Sequence, residues 1–286
     1  MAKVAIVTDS TAYLPQDMIK DYAVTVLPLQ LLWGNDSYRD GIDIQPAEFY
    51  ARLKTDKEFP TTSQPAPEIF KSAFRHLLDE GYDVLSIQIS SKLSGTLDSA
   101  TQARTQLGTD RIEVFDSLTS GMAMGFQVMA AARLADQGAT LAECKAIAEK
   151  ARAQSGVFFV PSTLEYLRRG GRLGNAAALL GTVLNLKPIL EVREGRIEAC
   201  EKVRTMSKAI DRMLDLFEER LSLYHSPIHI AAHYTDVPDA AQLLADRARQ
   251  RFGTQEVTEA RVVPVSPVIG VHFGPGGIGL AFMAGL

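Results

Sequence analysis

Five short stretches of this chain combine hydroxyl, glycine and basic residues in a way that suits an oxyanion. They are Asp9-Ser10-Thr11, Thr61-Thr62-Ser63-Gln64-Pro65, Ser91-Lys92-Leu93-Ser94-Gly95-Thr96, Arg168-Arg169-Gly170-Gly171-Arg172 and Gly270-Val271-His272-Phe273-Gly274-Pro275-Gly276. Hydroxyls donate single hydrogen bonds, and arginine offers a planar fork of donors. Glycine lets the backbone come close to a ligand.

Each stretch also has an ordinary explanation. Ser94-Gly95-Thr96 precedes a helix, whose first N–H groups and partial positive charge suit a carboxylate or phosphate; helix capping uses the same residue types. Pro60 and Pro65 bound the Thr62-Ser63 loop and would hold its hydroxyls in place, or those hydroxyls satisfy their own turn. Arg168, Arg169 and Arg172 read as a solvated basic turn, except that a surface face has no need of Gly170 and Gly171. Lys187, Lys202 and Arg204 extend the positive character. His272 could donate to an oxyanion or move a proton, or it is a satisfied structural histidine.

Two apparent motifs fail on context. Gly274-Pro275-Gly276-Gly277-Ile278-Gly279 has the dinucleotide glycine spacing, but too little chain follows for a βαβ unit. His225, His229 and His233 recur every four residues, yet Pro227 and the apolar alternation predict a strand. Four residues along a strand span roughly 13 Å, too far to share one ion, so no metal site is expected.

The elements that must position these residues follow from hydrophobic periodicity. Strands are expected at Lys3–Thr8, Val84–Ile89 and Ile112–Phe115, each ending in a polar turn. Helices near 15–22, 46–54, 67–80, 96–106, 119–136 and 140–154 alternate with them, which predicts a largely parallel sheet. Leu29–Trp33 and Ser37–Arg39 read as a hairpin. In the second half a helix is expected over Asn175–Leu184. Strands are expected at 157–160, 187–192, 196–201, 228–234, 256–263 and 279–283, with helices near 206–222 and 238–251. The fold class is therefore α/β, with two α/β domains divided near residue 160 (1–160 and 161–286). Ligands of open α/β sheets sit beyond the carboxyl ends of the strands, where residues 9–11, 90–96 and 116–117 fall together.

The 286 residues carry a net charge of −4 with 46% hydrophobic and 22% charged residues, which is ordinary for a globular chain and argues against a general nucleic-acid binder. Two cysteines, Cys144 and Cys200, make no disulfide framework or zinc spacing. With no signal-peptide layout and no apolar run of about 20 residues, a cytoplasmic location is the expectation.

Taken in register, the stretches resemble the DegV family, the bacterial fatty-acid-binding proteins that serve a fatty acid kinase. The resemblance rests on Thr62-Ser63-Gln64-Pro65, Ser91 through Thr96, Asp116-Ser117, Arg169-Gly170-Gly171-Arg172, Leu186-Lys187-Pro188-Ile189-Leu190 and His272-Phe273-Gly274-Pro275-Gly276. It implies one long-chain fatty acid in a tunnel at or near the interface of the two domains. The carboxylate would meet Thr62, Ser63, Ser94 and His272, with Gly95 and nearby amides adding donors. Arg172 and Arg204 would lie near the exposed carboxylate or acyl phosphate. The implied job is carriage: the carboxylate is presented to a separate dihydroxyacetone-kinase-like subunit, and the acyl phosphate passes to phospholipid synthesis. No cofactor or metal is expected, and the resemblance allows a transient contact with a membrane surface. At about 0.8 kcal/mol per CH₂, some fourteen methylenes would contribute on the order of 11 kcal/mol before ordering costs.

The helix starting Ser120-Gly121-Met122-Ala123-Met124 is a candidate tail wall, though ordinary helix packing explains most of it. The residues also permit a serine hydrolase or acyltransferase with Ser94 as nucleophile, His272 as base and Asp9 or Asp116 as orienter. Against it, Ser94 lacks the glycine two positions earlier that a nucleophile elbow supplies. A sensor of a small carboxylate or phosphate is the third reading.

Overall fold

The computed structural model describes residues 3–179, 186–221, 223, 226–253 and 257–286. The first half contains β1 (Val4–Asp9), α1 (Gln16–Ile19), β2 (Val24–Leu27), β3 (Gln30–Trp33), β4 (Asp36–Arg39), α2 (Pro46–Thr55) and β5 (Thr61–Ser63). It continues with α3 (Pro67–Asp79), β6 (Asp83–Gln88), α4 (Thr96–Leu107), β7 (Ile112–Asp116), α5 (Met122–Asp136) and α6 (Leu141–Ala153). The second half contains β8 (Ser155–Val160), α7 (Glu165–Arg169), β9 (Lys187–Arg193), β10 (Arg196–Val203) and α8 (Met206–Leu221). There follow β11 (Ile228–Tyr234), α9 (Pro238–Phe252), β12 (Val257–Pro264), α10 (Pro267–Phe273) and β13 (Ile278–Ala284).

β1, β2, β6 and β7 form a wholly parallel sheet in the order β2-β1-β6-β7. Its central strand β1 is buried at every position, the continuous apolar pattern of a strand covered on both faces. The β3–β4 hairpin adds β5 to make a small antiparallel sheet. The remaining strands form a six-stranded mixed sheet, β10-β9-β8-β13-β11-β12. The residue-160 division drawn from sequence falls at the end of β8, whereas sheet membership changes between α6 and β8.

Alternation along the six-stranded sheet assigns its two faces. Phe158 and Val160 of β8, Ile230 and Ala232 of β11, and Leu280 and Phe282 of β13 pack beneath α8 and α9. Their neighbours Val157, Ala231, Ala281 and Met283 face the first half. Between the sheets runs α5, packed on β1, β6, β8 and β13 and buried along nearly its whole length. A helix apolar all round is what such a position requires. Met122 and Met124 are core residues, so the ordinary reading of that segment holds for them.

Four elements depart from the sequence expectations. β2 was not foreseen, Thr61–Ser63 is a strand rather than a loop, and α10 was missed. Of the helix expected at 175–184, the described part is a 3₁₀ turn over Gly174–Leu179; residues 180–185 lie outside the described residues. The glycine run at 274–279 leads into β13, not a helix. His229 and His233 do lie on a strand; His225 lies outside the described residues.

Candidate functional site

Four of the five stretches close a ring. β5 pairs with β3 so that Thr62 stands opposite Leu31, and strand alternation turns Thr62 inward and Ser63 away. Thr62 Oγ1 is 3.0 Å from His272 Nε2, which α10 supplies. The other ring nitrogen, Nδ1, is buried without a partner and rests on Gly170. A Cβ at Gly170 would stand 2.0 Å from that nitrogen, so only glycine leaves space for the imidazole. Two residues on, Arg172 donates from Nε to Leu93 O at 3.1 Å and from Nη1 to Gly170 O at 2.5 Å. The ring closes at Gly95, where a Cβ would meet the Gln64 amide at 2.9 Å. Glycines 95 and 170 thus admit neighbouring side chains, whereas the sequence suggested that they admit a ligand.

Ser94 sits at the entry to α4. Its Oγ accepts from the Thr96 N–H at 3.3 Å and lies 2.9 Å from Thr96 Oγ1. With the Thr96 hydroxyl donating, the Ser94 proton is left for a ligand.

Within this ring opens a cavity of about 860 Å³, part of it open to solvent, lined by Thr62, Ser94, Arg172 and His272 at its polar part. The rest of the wall is mainly apolar: Ile89 and Leu93 from the first sheet's rim, Val157 and Phe159 from β8, Val268 and Phe273 from α10 and Val265 just before it. Arg172 is the one side chain among the described lining residues that is charged at neutral pH. Burial, with the nearby Arg172 charge adding to it, pushes His272 down to about 4, so its imidazole is neutral there.

Ser63, Gly95 and Arg204 do not line the cavity. Arg204 is exposed on the bend after β10. Asp9 and Asp116 are committed elsewhere. The Asp9 carboxylate accepts from Thr11 N–H (2.9 Å), Thr11 Oγ1 (2.5 Å) and Ile89 N–H (2.8 Å), tying β1 to the end of β6. Asp116 accepts from Leu118 N–H at 2.9 Å and Ser91 N–H at 3.3 Å. The first stretch is therefore scaffold: Ser10 Oγ donates to Asp40 at 2.6 Å and accepts from Leu29 N–H at 3.2 Å.

Sequence reasoning missed Tyr13, Leu29 and His233 as lining residues, and Ser120 and Gly121 are the only part of the candidate tail wall that lines the cavity among described residues. Inward alternation on β11 was the available signal for His233. No group of three or more His, Cys, Asp or Glu among the described residues could hold a metal, and no described helix is long and apolar enough to cross a membrane.

Fold and site together define an α/β protein with an apolar cavity capped by hydroxyl, imidazole and guanidinium groups beyond the ends of a parallel sheet. The chain belongs to the DegV family: the model of that family, described as of uncharacterised proteins, matches residues 3–285. A DegV domain-containing protein of Streptomyces coelicolor is 40% identical over 278 residues, 97% of each chain. A DegV family protein of Thermus thermophilus, solved in a study of its fatty acid binding, superposes with a TM-score of 0.92 at 37% identity over 99% of both chains. DegV of Bacillus subtilis, described as a fatty acid binding protein, gives 0.89 at 32% identity over the whole of both.

Proposed function

We propose that this protein binds a long-chain fatty acid in the cavity and presents its carboxylate to a separate dihydroxyacetone-kinase-like subunit for phosphorylation to the acyl phosphate, in the cytoplasm and on the way to phospholipid synthesis. The observation that carries the reading is one mainly apolar cavity ending in Thr62, Ser94, His272 and Arg172. Thr62 and Ser94 donate to the carboxylate, while Gly95 stands outside the lining. His272, being neutral, donates its single proton from Nε2 to Thr62 Oγ1, which leaves the Thr62 proton for the carboxylate; the countercharge comes from Arg172. Without such partners a buried carboxylate would be costly. This moves Arg172 from the partner-facing surface into the head-group clamp and leaves Arg204 as the partner-facing arginine. Ser63, turned away, drops out of the clamp.

The hydrolase reading draws no support from the contacts. His272 Nδ1 meets no carboxylate, and Asp9 and Asp116 are saturated by other donors. Native mass spectrometry of the protein as purified tests carriage against sensing. We expect a retained mass equal to a long-chain fatty acid; a small polar metabolite in its place would overturn the proposal.

A further inference from the structure

Deep in the six-stranded sheet, one polar side chain faces the apolar wall. His233 of β11 pairs with Gly279 of β13, which pairs with Phe159 of β8, and all three line the cavity. Gly279 makes a notch between the imidazole and the phenyl ring. His233 is only 4% exposed, and Tyr13 packs edge-on against it with ring centroids 5.4 Å apart.

The proton on this ring can be placed. The Met122 N–H donates to Nε2 at 3.3 Å, so Nε2 is the acceptor. Burial drops the imidazole to about 4, leaving it neutral with its single proton on Nδ1. That N–H has no hydrogen-bond acceptor among the described residues. Its edge of the ring passes Gly121, another lining residue, where a Cβ would stand 2.9 Å from Cε1 and 3.5 Å from Nδ1. Gly121 has φ +65°, so both its backbone and the closeness of the ring select glycine beside this edge.

We infer that the acyl chain selected by this cavity carries a hydrogen-bond acceptor partway along its length, and that His233 Nδ1–H reads it. An oxygen substituent is the strong form of that acceptor and the π cloud of a cis double bond the weak form. A saturated tail strips water from the N–H and returns nothing, the costly case for a buried donor. The inference rests on the fatty-acid reading and adds its substrate class.

The test is a titration of delipidated protein with stearate, oleate and 10-hydroxystearate, followed by fluorescence competition. The expected order is 10-hydroxystearate tighter than stearate by about tenfold, with oleate between them. In His233→Phe the ratio should fall to within about twofold while stearate binding persists. His233→Gln, which keeps an acceptor for Met122 and a donor for the ligand, should retain the preference, and it serves if the phenylalanine variant does not fold. Equal affinities in the unmodified protein, or an unchanged ratio in His233→Phe, would overturn the inference and leave fatty-acid binding standing. Failure of all three acids to bind would overturn both.

Discussion

His272 owes its place to what Gly170 lacks. The imidazole lies where a Cβ would stand, 2.0 Å from Nδ1, and the opposite nitrogen reaches Thr62. Gly170→Ala should therefore expel the ring, break the Thr62 contact and cost about 1–3 kcal/mol, as overpacking does. It should also lower the amount of retained fatty acid. Gly171→Ala is the control: its Cβ meets nothing within 4 Å, but φ is +69°, so it costs about 1–2 kcal/mol of backbone strain and spares retention. Urea denaturation and mass analysis of extracted lipid read the two effects separately. Full retention in Gly170→Ala would remove His272 from the head-group clamp.

At the scale of elements, Asp40 fastens three pieces together. Placed just after β4, its carboxylate accepts from Ser10 Oγ beyond β1 and from Val268 N–H at the start of α10, at 2.6 and 3.3 Å. Burial raises it to about 6 despite these donors. The folded protein thus holds this proton more tightly than the unfolded chain, whose aspartates titrate near 3.9. Asp40 accordingly favours folding most below about pH 4, and stability falls as pH rises from about 4 to about 6. Above that the penalty is constant, on the order of 3 kcal/mol. Asp40→Asn removes the titration. The stability difference between variant and unmodified protein should therefore change across pH 4–6 and level off above. Denaturation at four pH values measures it, and groups common to both proteins, such as His233 and His272, cancel. A difference independent of pH would mean that Asp40 is already ionised throughout.

The whole molecule is held around its cavity by contacts between the halves. Ser90 Oγ donates to Gly195 O at 2.9 Å, Arg172 reaches Leu93 O, and Tyr50 Oη donates to Val265 O at 3.2 Å. A ligand filling the space between should stabilise the folded state by linkage, about 2.7 kcal/mol at a hundredfold excess over Kd. Calorimetry of delipidated protein should show a higher Tm with a C18 acid, by a few degrees. The methyl ester should do less, having no carboxylate for Arg172 to balance. Equal shifts for acid and ester would show that the polar ring does not read the head group.

Much of this was legible in the residues. Apolar strands ending in Asp9, Ser90 and Asp116 announce a parallel sheet with a polar rim, because strand burial and turn chemistry are local. Thr62, Ser94 and His272 could be chosen for their donors. What could not be read was where each side chain points. β5 is only three residues long and exists through its pairing with β3, so Thr62 and Ser63 part ways by a register that lies outside their own segment. α10 is seven residues, too short to show a period. The chain's own order of residues determined an α/β fold and the kinds of groups that line the polar part of the cavity. Only the tertiary structure decided that Gly170 serves His272, that Gly95 serves Gln64 and that Arg172 turns inward, because clearance is a property of atoms far apart in sequence and close in space.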